Sequence, residues 1–287
     1  MAETVQRPDV REGVSEVALD SWGQFAPCIA TMGPAIIYRG QADAEWKIES
    51  TLDRHERRFP TKYINEGGRQ VELPCRPVPR DKHFGAFKEA VRGKRGSNPQ
   101  DLSENEWWAL AQHHGLATPL LDWTYSPFVA LFFAFEEEGY IDWPGPTFHK
   151  PKKRAVYAAS YHVAGNDIEA KSVPFVFSPR HEITHRLGSQ SGVFMRMPKG
   201  ADLEASVRAR YVGETPSSSN HHAQAYLYKI TIPSENADRL ACLKFLNKMN
   251  INRMSLFSDL DGAARYVNSL WEIDFDTALG YLPDGNS

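Results

Sequence analysis

The chain has 287 residues, of which 41% are hydrophobic, 24% charged and 11% aromatic, and its formal net charge is −3. This composition is typical of a soluble globular protein and excludes a collagenous, coiled-coil or wholly disordered chain. The near-neutral charge also excludes a uniformly basic nucleic-acid binder. Cys28, Cys75 and Cys242 lie far apart in sequence, which argues against a disulfide framework or a thiolate zinc site. No apolar run approaches the ~20 residues of a membrane-spanning helix, and no secretory signal is visible, so we expect a cytoplasmic protein without membrane contact.

The first part of the chain predicts one short helix and one strand. Residues 1–20 are polar and weakly patterned, so we expect a loose lead-in or a first helix there, ahead of a domain at 21–287. A helix over 21–31 is expected to be interrupted at Pro27. Residues 35–40 (AIIYRG) are apolar and β-branched, which is typical of a buried strand that ends in an Arg-Gly turn.

The middle of the chain predicts a loop and three helices. Gly67-Gly68 and four prolines indicate that residues 60–80 form a long loop. Apolar residues at helical spacing then predict one helix after this loop and another that opens at Asp101. The run PFVALFFAF at 127–135, with proline first, is typical of a buried helix.

The remaining patterns complete a mixed fold. We expect a loop at 139–154, three strands at 155–163, 192–197 and 225–232, and two helices at 237–249 and 261–268. Strands separated by helices and irregular stretches predict an α+β fold. We expect a single domain with a central, mostly antiparallel sheet flanked by helices.

A basic stretch interrupts the even charge distribution. Residues 76–100 carry seven Lys or Arg residues against two acids. One interpretation is a solvated helix face, and the other is a surface that attracts a phosphate-bearing partner such as a nucleic acid.

The densest group of hydrogen-bonding side chains lies between two predicted apolar helices, in the run QHHGLATPLLDWT at 112–124. A purely structural explanation exists, because Asp122 or Thr124 could cap the helix that starts at Pro127. A cap does not require the glutamine, two histidines and tryptophan nearby. His113 and His114 are adjacent, so on a helix they point about 100° apart and only one can face a shared ligand.

A competing motif lies at His181-Glu182-Ile183-Thr184-His185. It matches H-E-x-x-H, in which two histidines on one helix face bind zinc and the glutamate activates water. Glu204 follows nineteen positions after His185, a distance compatible with a third ligand. The charged flanks, Arg180 and Arg186, are unlike the apolar flanks of zinc-protease helices. A zinc hydrolase is therefore the third hypothesis, and we expect no metal site.

Several motifs together resemble the FRG domain family. They are Tyr38-Arg39-Gly40-Gln41, then Trp46, Leu52 and Arg54, then QHHGLATPLLDWTYSPFVALFFA, Arg186-x-x-x-Gln190-x-Gly192-x-Phe194, and the closing run from Ile251 to Gly262. The resemblance extends over about residues 35–268. Its most specific part is the Asp-Trp-Thr block.

The order of elements in this family is similar to that of ADP-ribosyltransferases, which implies an NAD site and either ADP-ribosyl transfer to a macromolecule or NAD hydrolysis. By this similarity Arg39 would hold the NAD phosphates or the nicotinamide ribose. Asp122 and Thr124 would line the nicotinamide pocket, and Tyr38 or Trp123 would stack on a ring. The residues implied in catalysis are Arg39, Asp122, Thr124 and Gln190. Those implied in binding NAD are Tyr38, Arg39, Gly40, Gln41, Gln112, His113, His114 and Trp123.

The sequence departs from the ADP-ribosyltransferase pattern at Gly192, where those enzymes carry a catalytic glutamate. Either another acid, Asp122 or Glu182, takes that role, or the domain is a non-catalytic module that binds a nucleotide or nucleic acid. Arg39 could have a purely structural role instead of binding a ligand, in a buried ion pair with Asp43 or Asp122. The resemblance further implies an effector of a bacterial conflict system, such as a toxin or a phage-defence protein.

Overall fold

In the computed structural model, the described residues are 10–32, 37–58, 61–74, 78–141, 147–165, 171–179, 188–213, 225–257 and 259–273. Their strands are β1 (Val10–Arg11), β2 (Val14–Ala18), β3 (Ile37–Gln41), β4 (Thr61–Glu66), β5 (Arg69–Pro74), β6 (Leu120–Thr124), β7 (Tyr140–Ile141), β8 (Phe148–His149), β9 (Lys153–Ala159), β10 (Phe175–Phe177), β11 (Gly192–Arg196) and β12 (Leu227–Pro233). Their α-helices are α1 (Phe25–Thr31), α2 (Thr51–Arg58), α3 (Arg80–Ala90), α4 (Glu104–His113), α5 (Pro127–Phe135), α6 (Leu203–Arg210), α7 (Asn236–Lys248), α8 (Arg253–Leu256) and α9 (Leu260–Ile273).

One sheet of eight strands organises the described residues, in the order β1-β2-β12-β9-β3-β6-β11-β10. All neighbours in it are antiparallel except β2 and β12, which run parallel. Two separate hairpins, β4–β5 and β7–β8, lie outside it. The predicted α+β fold, with a mostly antiparallel sheet flanked by helices, is confirmed.

Helices cover both faces of the sheet. On one face, α1, α5, α7 and α9 pack against inward residues of β9 and β12 to form the largest core cluster. On the other face, α6 packs over residues of β3, β6, β9 and β11. A smaller cluster joins α2 and α4 to Leu120 and Phe194, at the end of the sheet where β6 and β11 lie.

Helix α5 forms as the sequence predicts, and the reason is local. The Oγ of Ser126 accepts a hydrogen bond from the N–H of Val129 at 3.3 Å, and Pro127 occupies the first turn. Ser126 is therefore the N-cap of α5. The structural explanation of the 112–124 run, in which Asp122 or Thr124 caps this helix, was wrong. The segment is apolar on all sides because it is buried between the sheet and the outer helices.

Several local expectations were wrong. Residues 10–18, expected as a loose lead-in or a helix, form β1 and β2 of the main sheet. The expected loop at 60–80 contains the β4–β5 hairpin, whose turn residues Gly67 and Gly68 both have positive φ. Pro27 does not interrupt α1, because it lies in the first turn, where no hydrogen bond needs its missing N–H.

The expected loop at 139–154 holds the β7–β8 hairpin and the start of β9. The H-E-x-x-H segment, His181 to His185, lies outside the described residues. Among the helices that the structure describes, none is long and apolar enough to cross a membrane.

Candidate functional site

The main sheet opens into a fork between β3 and β6. These strands are paired only where Tyr38 lies opposite Thr124, although each continues for several residues. The neighbouring pairs, β3 with β9 and β6 with β11, run over five positions each. The residues of β3 and β6 beyond the single pair therefore border an opening in the sheet and are not paired through their main chains.

A cavity of about 420 Å³ occupies this fork. It brings together most of the predicted site residues, which are Tyr38, Arg39, Gly40, Gln41, Gln112, His113, Asp122, Trp123, Thr124 and Gln190. These come from β3, α4, β6 and the turn before β11, so segments that are distant in sequence meet at one place. The predicted residue His114 is absent from the lining and faces a separate groove.

Arg39 bridges the two arms of the fork. Its Nη1 donates a hydrogen bond to the main-chain carbonyl oxygen of Asp122 at 2.6 Å. Its Nε is buried and has no hydrogen-bond partner among the described residues. Burial lowers the pKa of Arg39, the negative charge of Asp122 opposes this change, and the nearby positive charge of Arg54 adds to it. The alternative of a buried ion pair with Asp43 or Asp122 is not what the described residues show: the Arg39 guanidinium bonds a main-chain carbonyl, and the Asp122 carboxylate accepts from Gln112.

Asp122 presents its carboxylate to the cavity. The amide Nε2 of Gln112 donates to its Oδ1 at 2.7 Å, and the hydroxyl of Thr118 donates to the amide oxygen of Gln112, which fixes the orientation of that amide. The Asp122 side chain is exposed to the cavity, but the surrounding protein reduces its solvation and so raises the pKa of its carboxyl group, while Arg39 and the Gln112 hydrogen bond act in the opposite direction. Among the described lining residues, it is the only acid.

Thr124, Gln190 and Gly192 form one wall of the cavity. The Thr124 hydroxyl donates to the carbonyl oxygen of Gln190 at 2.6 Å and accepts from the N–H of Ser126 at 3.0 Å. Gln190 in turn donates its side-chain Nε2 to the carbonyl of Leu256 at 3.1 Å. Gly192 pairs with Thr124 in the sheet and lines the cavity without a side chain. These bonds tie the turn before β11 and helix α8 to the cavity wall.

Two further lining residues, Arg54 of α2 and Trp46, were not assigned a role from the sequence. Trp46 is 38% exposed and packs edge-on against Tyr140, with ring centroids 4.5 Å apart. The motif Trp46…Leu52…Arg54 was the sequence signal for these two residues. Only the tertiary fold shows that α2 lies beside the cavity. With Arg39 and Arg54 against Asp122, the described part of the lining has a surplus of positive charge.

The aromatic and histidine residues of the 112–124 run differ in their access to the cavity. His113 lines it, whereas His114 is exposed on the other side of α4, as expected for adjacent helical positions. Trp123 is only 2% exposed, because its ring packs in the core cluster beneath the sheet. Its indole therefore offers a ligand much less surface than Trp46 does.

The basic stretch is partly neutralised where the structure describes it. Arg80 pairs with two carboxylates of α2, and Arg92 pairs with the preceding glutamate at 2.8 Å. Lys88 and Arg95 lie over the ring of Trp107, at 5.2 and 4.5 Å from its centroid. Arg95 also lines a groove of about 540 Å³ beside α4. The two interpretations, a solvated face and a surface for a phosphate-bearing partner, both remain predictions.

The described residues contain no group of three or more His, Cys, Asp or Glu side chains that could hold a metal ion. Because the H-E-x-x-H segment lies outside those residues, the zinc hypothesis stays a prediction that the structure does not test.

Together these features define an α+β protein with a cationic cavity in a forked sheet. Residues 34–141 match the family model of the FRG domain, and the chain therefore carries an FRG domain. A search of curated proteins and a search of solved structures each found no significant match. The matched segment runs from before β3 to β7 and includes Arg39, Arg54 and Asp122. Gln190 and Gly192 come from outside it.

Proposed function

We propose that the cavity in the fork binds NAD as a substrate and that the domain either transfers its ADP-ribose to a macromolecule or hydrolyses it. The observation that carries this proposal is the arrangement at Asp122. Its carboxylate faces the cavity, is oriented by Gln112, and lies beside the guanidinium of Arg39. A carboxylate next to a cationic group suits a ligand that carries both a ribose and phosphates.

The chemistry requires few groups from the protein. The bond between nicotinamide N1 and ribose C1′ breaks, and its electron pair leaves with nicotinamide. Positive charge then develops on the ribose, and a carboxylate held nearby stabilises it. Water or an acceptor nucleophile forms the new bond at C1′ and loses a proton. In this proposal Asp122 supplies the stabilising charge, Arg39 and Gln41 contribute to binding, and Thr124 shapes the nicotinamide pocket.

A second candidate is a module that binds a nucleotide without turning it over. Gly192 favours it, because this residue lines the cavity at the position where a catalytic glutamate was expected and offers no carboxylate. Both candidates predict binding, and only the enzyme predicts release of nicotinamide.

Free nicotinamide, measured by chromatography after incubation with NAD, separates the candidates. We expect release by the wild-type protein and a loss of at least about 100-fold in Asp122→Asn. Asp81→Asn, an exposed acid on α3, is the matched control and should behave as wild type. If the wild type releases no nicotinamide, with or without added protein or nucleic-acid acceptors, and NAD leaves its melting temperature unchanged, the NAD proposal fails.

Consumption of NAD would suit an effector of a bacterial conflict system, a toxin or a phage-defence protein. Expression of the wild type and of Asp122→Asn in bacteria, with cellular NAD and growth as the readouts, tests this part of the proposal. Equal growth and equal NAD content in both strains would contradict it.

A further inference from the structure

We propose that Arg39 and Arg54 together form a diphosphate subsite at the fork and that Trp46 provides the stacking surface for the attached base. This inference rests on the proposed nucleotide site but not on turnover. It adds Arg54 and Trp46, which lie on a different segment from the 112–124 run, to the residues that bind ligand.

The two guanidinium groups lie on different elements, β3 and α2, and both line the same cavity. They are close enough that the charge of Arg54 lowers the pKa of Arg39, in addition to the effect of burial. Two like charges held in one cavity favour an anion between them. Since each guanidinium can donate two parallel hydrogen bonds to a phosphate, a pair matches a diphosphate better than a single phosphate.

Among the described residues, the acids around α2 accept no side-chain hydrogen bond from Arg39 or Arg54, although the negative charge of Glu49 favours the charged form of Arg54. Both carboxylate oxygens of Glu49 accept from Arg57, and Asp53 accepts from Arg80 and from the hydroxyl of Ser50. In the described part of the chain, the hydrogen bond of the Arg54 side chain is a long one, from Nη1 to the carbonyl of Glu49 at 3.4 Å.

Arg39 is similarly incomplete. In the described part of the chain, its guanidinium makes one hydrogen bond, from Nη1 to the carbonyl oxygen of Asp122, so Nη2 keeps its donors for a ligand, while Nε is buried and unpartnered. The adjacent carboxylate of Asp122 is held by Gln112. A bound diphosphate would supply the acceptors that these two arginines need.

Trp46 is held with its indole at the cavity. Gln41 donates to the carbonyl oxygen of Trp46 at 2.6 Å, which fixes the main chain. Tyr140 packs against the indole at 4.5 Å between centroids, and its hydroxyl donates to Asp43 at 2.9 Å. The indole is therefore supported from one side and partly exposed, which is the arrangement that stacks a nucleobase.

The test uses inorganic pyrophosphate, orthophosphate and ADP as probes, with affinities measured by calorimetry at fixed ionic strength. We expect the wild type to bind pyrophosphate more tightly than orthophosphate, and Arg54→Gln to lose at least about 10-fold in pyrophosphate affinity. Arg58→Gln, one turn further along α2 and exposed, is the matched control and should bind as wild type.

Trp46→Ala separates the base from the phosphates. We expect this variant to keep its pyrophosphate affinity and to lose about 5-fold or more in ADP affinity. Thermal unfolding of every variant, compared with the wild type, shows that the losses are not caused by unfolding. Loss of pyrophosphate binding in Trp46→Ala at an unchanged melting temperature would contradict the assignment of the base.

Failure of the subsite and failure of the proposed function give different results. If NAD is turned over and Arg54→Gln binds pyrophosphate as well as wild type, the subsite is overturned and the proposed enzyme stands. If pyrophosphate binding depends on Arg54 but no nicotinamide is released, the subsite stands and the enzyme does not. Equal losses in Arg54→Gln and Arg58→Gln would also overturn the subsite, because the effect would then be general electrostatics.

Discussion

The carbonyl oxygen of Ala130 lies where a side chain on Gly40 would have to be: a Cβ atom built on Gly40 would be 1.9 Å from that oxygen and 2.6 Å from the nitrogen of Ala134. Helix α5 therefore rests directly on the backbone of β3 at the edge of the fork. Gly40 was predicted as a ligand-binding residue, and it does line the cavity. The close approach of α5 already requires a glycine there, whether or not a ligand binds.

We expect Gly40→Ala to destabilise the protein by about 3 kcal/mol or more, because backbone atoms of a helix cannot move aside as a flexible side chain can. Denaturant unfolding measures the loss. The matched control is Gly85→Ala in α3, where an added Cβ meets nothing within 4 Å. That variant should gain roughly 0.5–1 kcal/mol from helix propensity. A neutral Gly40→Ala would contradict the contact with α5.

Arg239 caps the C-terminal end of α5, so its removal should lower the free energy of unfolding. It is 5% exposed and donates to the carbonyls of Phe135 and Glu136 at 3.0 and 2.9 Å. Arg239→Leu leaves these carbonyls without their donor, so we expect a loss of about 2–4 kcal/mol in the free energy of unfolding. Arg92→Leu removes an exposed ion pair and should cost less than about 1 kcal/mol. Equal effects of the two substitutions would rule out the capping role.

The ionisation of Asp122 should set the acidic limb of the pH profile for nicotinamide release. Burial raises the pKa of Asp122 above the ordinary 3.8, and the hydrogen bond from Gln112 lowers it. Because the proposed role needs the ionised carboxylate, activity is present above this pKa and falls as pH falls through it. Gln112→Met removes the hydrogen bond, so we expect the limb to move to higher pH while the high-pH plateau is kept. Gln100→Met, with an exposed side chain, should leave the profile unchanged. A shift of the limb to lower pH would contradict this role of Gln112.

Glu136 should make the protein less stable as pH rises. Burial raises the pKa of Glu136 from 4.5 to about 7, although Arg253 lies 2.7 Å away and acts in the opposite direction. The folded state therefore binds a proton that the unfolded state has lost between these two values, and stability decreases as pH rises through this window. Glu136→Gln should be more stable than wild type at pH 8 by roughly 1–3 kcal/mol and show a flatter pH dependence.

The control for this prediction is Glu137→Gln. Glu137 also pairs with Arg253 at 2.7 Å, but its side chain is 60% exposed. We expect less than about 1 kcal/mol of change at either pH. If Glu136→Gln loses the same stability at pH 5 and pH 8, the ion pair outweighs burial and the prediction is wrong.

The sequence predicted elements whose signals are local. Helix α5 was predicted at its observed bounds, because Pro127 starts it and the apolar run ends with it. The β4–β5 hairpin was missed because prolines at both ends of the segment suggested a loop. The two-residue Gly67-Gly68 turn was the signal of a hairpin, since positive φ at both positions is what such a tight turn requires.

Part of the site could be predicted because several of its residues stand in local sequence motifs. Arg39, Gln112 and Asp122 stand in motifs, and the structure brings them to one cavity. Arg54 and Trp46 reach that cavity only through the placement of α2 and the loop before it. Both depend on tertiary packing, and the spacing of the residues does not contain that information.

The most direct test of the central claim is a crystal structure of Asp122→Asn with NAD, because the substitution should slow turnover and keep the substrate intact. We predict the diphosphate between Arg39 and Arg54, and the nicotinamide ribose within hydrogen-bond distance of residue 122. Density for NAD elsewhere, or an absence of NAD from the fork at a concentration that saturates the protein in solution, would contradict the account.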